Sequence, residues 1–348
     1  MNEAKRALGA WALLAMAVLV PQGAFAETGC VVPVEAASVR PGPEGEPTPV
    51  QVAYYVMDIE SIDDAQQEFT ADIVAAARWQ DDRLGEVVRR NGAPCSFSIE
   101  EVWHPFLQFM NTRNVRMRLP GLVRVDETGT ARITRRFYGT FSSPFDLREF
   151  PFDHQTLSFT VISFYDEHLV KLHAPPEESG FDESFSLPGW EIGEHSVTSS
   201  TYEARFGAGE VRAKSRADFT FEVERDIRYY QWKVVLPLVL IVFMSWSVFF
   251  VDPKQVGPQL GAASTSILTL IAFLFSLRGI LPPISYLTRM DFFVYASLAL
   301  VFVAYLEALF TVGLASVGRE AVAQRIDRAA RVVMPLAFSL IVARLMIG

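Results

Sequence analysis

Residues 257–277 read GPQLGAASTSILTLIAFLFSL. As a helix rising about 1.5 Å per residue, a stretch of roughly 20 residues crosses the hydrocarbon core of a bilayer. Yet it is too polar for a plain anchor. Gly261, Thr265, Leu268, Ala272 and Phe275 recur at steps of four, three, four and three, which places them on one helical stripe. The stripe runs from small and polar at one end to bulky and apolar at the other, with Ser264, Ser266 and Thr269 beside it. Two readings fit such a face. A ring of identical helices would line a water-filled path with it, whereas an ordinary membrane helix would pack its small residues against neighbours.

Working outward, the last third of the chain carries four apolar segments, read as helices over about 232–251, 257–277, 290–315 and 327–347. Pro237 lies inside the first, which a helix among helices tolerates. The links at 252–256 and 316–331 hold Lys254, Arg319, Arg325, Arg328 and Arg331 against Asp252, Glu320 and Asp327. By the positive-inside tendency they face the cytoplasm. Glu307 falls within the third apolar segment, where a carboxylate is expensive. It either serves a pore or ties two helices together.

At the other end, Lys5 and Arg6, the apolar run from Ala7 to Val20 and Ala24-Phe25-Ala26 form a secretory signal over residues 1–26. The exported chain then begins near Glu27. Residues 27–49, which include RPGPEGEPTP, read as a flexible Pro-rich lead-in. From about 50 to 228 the texture is short alternating runs broken by turn residues, such as QTLSFTVISF and DFTFEVERDI. Such alternation predicts an antiparallel β-sandwich. Net charge divides along the same line. The whole chain carries -9, residues 229–348 carry +4 and the signal +1, leaving -14 on residues 27–228. An acidic outer domain argues against nucleic acid and favours cations near a membrane mouth. The two cysteines, Cys30 and Cys95, either pair as a disulfide in this exported domain or remain unrelated thiols.

Several stretches resemble the pentameric ligand-gated ion channels, the Cys-loop receptor superfamily with its bacterial members. Trp79-Gln80-Asp81-Asp82-Arg83-Leu84 resembles the W-x-D-x-R-L strand, and Trp103 to Asn111 (WHPFLQFMN) the W-x-P-x-x-x-F-x-N stretch. Phe150 to Gln155 (FPFDHQ) matches the signature inside the Cys-loop. Arg225, Tyr229, Tyr230, Pro237 and Ser245-Trp246 fit the entry to the first membrane helix. LPPISY at 281–286 resembles the link after the pore helix, and Leu306-Glu307 fits the third. The loop's two cysteines would fall at Ser143 and Leu157, so this is the bacterial pattern, a loop without its disulfide.

The resemblance implies a ten-strand sandwich outside and four helices per subunit in the membrane, five copies forming a homopentamer around a central pore. The pore would be lined by Gly261, Thr265, Leu268, Ala272 and Phe275, with Leu268 and Phe275 as an apolar gate that blocks ions by dewetting. Selectivity candidates are Gly257, Pro258 and Gln259 at the uncharged inner mouth and Arg278 at the outer end, which together lean toward anions. A cation-selective or pH-gated channel, or a non-conducting ligand sensor, is the alternative. An unknown small agonist would bind between neighbouring outer domains near Phe164, Tyr202 and Phe206. On the neighbouring strand, Val74 and Ala76 stand where an aromatic and an arginine would suit amino-acid transmitters, so glycine-like or GABA-like recognition is not expected. Asp64, Asp153 and Arg225 match an ion-pair cluster at the sandwich–membrane junction, with Pro282, Pro283 and Tyr286 as the receiving link. Trp79 and Trp103 read as core. The five histidines, all in the outer domain, read as surface residues that allow pH sensing in principle. Asp166-Glu167-His168 reads as a solvated turn in preference to a divalent-ion site. No G-x-S-x-G, H-E-x-x-H or P-loop pattern occurs, and no inverted repeat of a transporter is evident. An enzyme, a cofactor and a metal are therefore not expected. The resemblance implies as partners the bilayer, four further copies and an unknown small-molecule or ion agonist, and as location a bacterial inner membrane with the sandwich on the periplasmic side.

Overall fold

The computed structural model describes residues 30–183, 185, 187–206, 210–277 and 284–347. The signal segment, Arg278, Pro282 and Pro283 lie outside these. Among the described residues twelve strands form: β1 (Thr48–Asp63), β2 (Glu68–Gln80), β3 (Cys95–Ser98), β4 (Leu107–Phe109), β5 (Thr112–Met117), β6 (Leu122–Val125), β7 (Thr130–Ser142), β8 (His154–Asp166), β9 (Val170–His173), β10 (Gly180–Phe181), β11 (Trp190–Phe206) and β12 (Glu210–Arg225). The count exceeds the expected ten because short pairings such as two-residue β10 are included. One sheet runs β10-β1-β2-β7-β6-β3, with β5 on β7 and β9 on β1; the other runs β11-β12-β8-β4.

Alternation does the packing. On β8, Gln155, Leu157, Phe159 and Val161 face inward, and on β12 Phe219, Phe221 and Val223 meet them from the same sheet. Phe69 and Phe141 close the layer from the opposite sheet; Phe141 meets Phe159 edge-to-face at 4.7 Å and 85°. Each buried phenylalanine contributes about 1.5–3 kcal/mol by its apolar area. Trp79 and Trp103 are buried and cross edge-to-face at 5.9 Å. The asparagine of WHPFLQFMN ties the layers: Asn111 Nδ2 donates to the carbonyls of Ser142 (3.0 Å) and Ser158 (2.7 Å), and its Oδ1 accepts from the Thr160 amide. At Gly139, with φ of 156°, an added Cβ would stand 2.1 Å from the Asn114 carbonyl oxygen, so only glycine lets β5 lie this close to β7.

The lead-in is not the flexible segment expected. Cys30 and Cys95 form a disulfide, a short helix spans Val34–Ser38, and Ala36 is fully buried. Arg83 donates to the carbonyls of Glu35 and Val39, both at 2.9 Å, while its other side is held by Asp81. The arginine of W-x-D-x-R-L thus fastens the N-terminal segment, which satisfies its polar backbone against the sandwich. Composition alone does not reveal such long-range partners.

Four helices long and apolar enough to cross a membrane follow, over Arg228–Phe250, Val256–Leu277, Arg289–Ser316 and Glu320–Ile347. In the first, Pro237 has no N–H to offer the carbonyl four residues back, and the backbone just before it widens into a π-turn over Gln231–Val235. The fourth begins before 327, because its charged first turns continue the helix beyond the apolar run.

Candidate functional site

The second membrane helix has two faces. Gln259, Ala263, Ser266, Leu270 and Leu277 are buried against its neighbours within the subunit. Ala263 lies two residues, about 200° of helical rotation, from Gly261. The opposite face carries Gly261, Thr265, Leu268, Ala272 and Phe275, all exposed, with Leu268 at 67% and Phe275 at 60%. The spacing read from sequence therefore isolates the face that the subunit itself leaves uncovered. Gly257 and Pro258 are exposed at its inner end. Gln259 is a correction: it is fully buried, its amide donating to Thr311 Oγ1 at 3.3 Å, because its position falls on the packing face. Glu307 of the third helix lies next to Asp327 of the fourth, not on the exposed stripe of the second.

The junction between sandwich and helices is built on Arg225. Its Nε and Nη2 donate to Asp153 at 2.7 and 3.0 Å, and Nη1 and Nη2 donate to Asp64 at 2.9 and 2.8 Å. Trp190 and Phe150 cover the guanidinium at 4.1 and 4.8 Å. Burial would lower its pKa, but the two carboxylates outweigh that and raise it. The sequence-matched trio is thus one contact, with a planar fork serving two carboxylates at once.

The FPFDHQ loop delivers this cluster to the membrane helices. Gln155 pins the loop from within, donating to Asp153 Oδ2 (2.6 Å) and the Asp146 carbonyl (2.8 Å). Where cysteines would close the loop, Ser143 Oγ donates to the Thr156 carbonyl at 2.8 Å and Leu157 is buried. The third membrane helix starts with a capping box between Thr288 and Asp291. Two of its first amides, from Arg289 and Met290, would otherwise lack partners; they donate to the loop carbonyls of Arg148 and Phe150 at 3.0 and 3.1 Å. Tyr286 OH accepts from the Leu147 amide at 2.9 Å, and Arg289 pairs with Glu149. Sequence reading missed Glu149, Arg289 and Gln155. Gln155 was legible as the last residue of the motif; the Glu149–Arg289 pair, 140 positions apart, was not.

The ligand candidates are less tightly assembled. Phe164 is 59% exposed on β8, and Lys214 of β12 holds its ammonium 5.9 Å from that ring while pairing with Asp166 at 2.7 Å. Tyr202 of β11 is in register with Lys214. The backbone of Phe206 is described, at the end of β11. Lys214 was missed because a lysine in alternating VRAKSRADF reads as outward-facing, whereas it is 5% exposed. Asp166 and Glu167 are engaged by Lys214 and Lys171.

Residues 36–227 match the neurotransmitter-gated ion-channel ligand binding domain, and residues 234–319 match the neurotransmitter-gated ion-channel transmembrane region. The chain belongs to the neurotransmitter-gated ion-channel family. A proton-gated ion channel of Gloeobacter violaceus is 28% identical over 297 residues, covering 85% of this chain and 81% of that one. The gamma-aminobutyric acid receptor subunit alpha-2 of Bos taurus is 27% identical over 290 residues, 77% of this chain and 61% of that one. Subunit rho-1 of Homo sapiens is 25% identical over 281 residues, 78% and 57% respectively. This channel subunit is accordingly a multi-pass membrane protein with an extracellular β-sandwich domain, a ligand-gated ion channel and not an enzyme. Family members are pentameric channels.

Proposed function

We propose that five copies of this chain assemble in a bacterial inner membrane as a homopentameric channel whose pore is lined by Gly261, Thr265, Leu268, Ala272 and Phe275. The uncovered stripe on the second membrane helix carries this reading. An exposed row of leucine and phenylalanine opposite a fully packed face needs either lipid or copies of itself, and its polar inner half is unsuited to lipid. Around a shared axis, rings of Leu268 and Phe275 form a constriction that dewets and stops ions, while Gly261 and Thr265 hydrate them below it.

An agonist binding between outer domains near Phe164, Tyr202 and Phe206 would shift the sandwich. The shift passes through the Arg225–Asp64–Asp153 contact and the loop carbonyls that cap the third helix, a short physical chain from ligand face to pore. Pro282, Pro283 and Tyr286 complete the receiving link. The uncharged Gly257 and Pro258 at the inner mouth, with Arg278 beyond the outer end, favour anions. The -14 charge of residues 27–228 favours cations instead, so reversal potentials in asymmetric salt decide between the two.

The gate is tested with Leu268→Ser in planar bilayers. The variant should conduct without agonist, or open far more easily, because a hydroxyl ring keeps the constriction wet. A closed state as tight as that of wild type, with unchanged gating, would remove Leu268 from the gate.

A further inference from the structure

The half of the membrane bundle away from the sandwich holds a polar group that the pore stripe does not use. Glu307 of the third membrane helix and Asp327 of the fourth lie side by side. Asp327 is buried, as is Thr311, one turn beyond Glu307 on the third helix. Thr311 Oγ1 stands within hydrogen-bond reach of Asp327 and accepts from the fully buried Gln259 of the second helix at 3.3 Å. Side chains from three helices thus meet at one point, in a setting where a carboxylate is expensive.

Acceptors outnumber donors there. Both carboxylate oxygens of Glu307, Asp327 Oδ1 and Gln259 Oε1 are shut off from water and have no hydrogen-bond partner among the described residues. An acceptor left bare in a dry site costs free energy, and here four stand together. The hydroxyl proton of Thr311 is contested: the Glu307 and Ala308 carbonyls lie 3.1 and 3.2 Å from its oxygen and compete with Asp327. No cation fills the gap. Arg331, one turn on from Asp327, attracts it without touching it; its Nε donates to the Phe249 carbonyl at 2.9 Å and its guanidinium lies 4.7 Å from the Phe250 ring. Asp252, in the link between the first two helices, adds a like charge. Arg328 donates to the Gln324 carbonyl at 3.2 Å, and Lys254 is paired with Glu320 at 2.7 Å.

Two like charges in contact, with water excluded, cannot both stand, and carboxyl groups in that position settle the conflict by holding one proton between them. The proton is also the missing donor. A metal ion fits less well, because among the described residues no third carboxylate, histidine or thiol joins the two as a ligand group. Access is open. A polar recess of about 250 Å³ reaches Asp327 between residues 250–253 and the fourth helix, lined also by Asp252, Gln324, Arg328 and Arg331. It lies at the end of the bundle opposite the sandwich, so protons enter from the cytoplasmic side.

We infer that Glu307 and Asp327 bind one shared proton, exchanged with the cytoplasm through this recess, and that the proton latches the third membrane helix to the fourth. The latch lies within one subunit, off the exposed stripe, and does not depend on the gating scheme above.

Infrared spectroscopy of the full-length protein in lipid nanodiscs at pH 7 reads the proton directly, through the carbonyl stretch of a protonated carboxyl group. That band should be present in wild type and lost in E307Q, where the new amide donates to Asp327 in place of the proton and a single charge remains. D327N makes the same exchange from the other side and carries the test if E307Q does not fold. Alkaline buffer strips the proton from wild type and sets two charges against each other. From pH 7 to pH 9 its melting temperature should therefore fall by about 3 °C or more relative to the folded variant at the same pH. Calcium and sodium ions, added separately, should leave the wild-type band and melting temperature unchanged. A wild-type spectrum without the band, a band that survives in the variant, equal losses of melting temperature with pH, or displacement of the band by either ion would each overturn the assignment.

Discussion

Replacing Asp153 by asparagine should cost the assembly far more than the same change at Asp64, although both carboxylates meet the same guanidinium. The Arg225 side chain is 4% exposed, that of Asp153 1% and that of Asp64 19%. Asp153→Asn leaves a buried cation facing an amide whose NH2 competes for the same space, and breaking a buried pair in this way costs about 3–5 kcal/mol. Asp64 sits where water reaches it, so solvent takes up part of the loss and about 1–2 kcal/mol is expected. Arg225→Lys keeps the charge but cannot span two carboxylates, and should resemble Asp153→Asn. Arg225→Glu would gather three acidic groups in one buried space and should prevent assembly or gating. The assay is thermal melting of the purified protein, followed by size-exclusion fluorescence at fixed protein concentration, because assembly makes apparent stability concentration-dependent. The fall in melting temperature for Asp153→Asn should be about twice that for Asp64→Asn, or more, following these energies. Equal shifts, a reversed order, or two variants indistinguishable from wild type would refute the view that burial sets the strength of this junction.

The Cys30–Cys95 disulfide closes a loop of 65 positions, for which chain entropy allows about 4 kcal/mol of stabilisation. The Cys30→Ser, Cys95→Ser pair should therefore melt earlier, and residues 30–47 should become the first site cut in limited proteolysis; an unchanged cleavage pattern would argue that Arg83 alone holds the segment. At His104 the folded value of about 4 lies below the ordinary 6.5, so unfolded chains bind more protons between those limits. Its contribution to stability is present above about pH 6.5 and is lost as pH falls toward 4. His104→Gln should flatten that part of the stability–pH curve relative to wild type, measured by melting temperature across pH 4–7.

Much of this architecture was legible because period and motif are local properties. Alternation in QTLSFTVISF marks a strand with one buried side, and the four–three spacing from Gly261 to Phe275 marks a helical stripe, whatever surrounds them. The Arg225 trio was reachable through motif order. Long-range pairings were not. A lead-in rich in proline and glycine reads as loose until its contacts are known. Here those contacts are Cys95 and Arg83, which lie 65 and 53 positions from Cys30. Gln259 stood beside the stripe in sequence, and only the packing of the second helix on Thr311 showed that it faces inward.

The chain by itself determined where strands and membrane helices lie and which helical face is left over, since backbone period and hydrophobicity act over a few residues. Tertiary structure alone decided what each polar side chain meets: Lys214 turned onto Phe164, loop carbonyls capping the third helix, and Arg225 set between Asp64 and Asp153. The physical reason is range. A hydrogen bond or ion pair is settled within about 3 Å, and the fold brings to that distance residues that the sequence holds far apart.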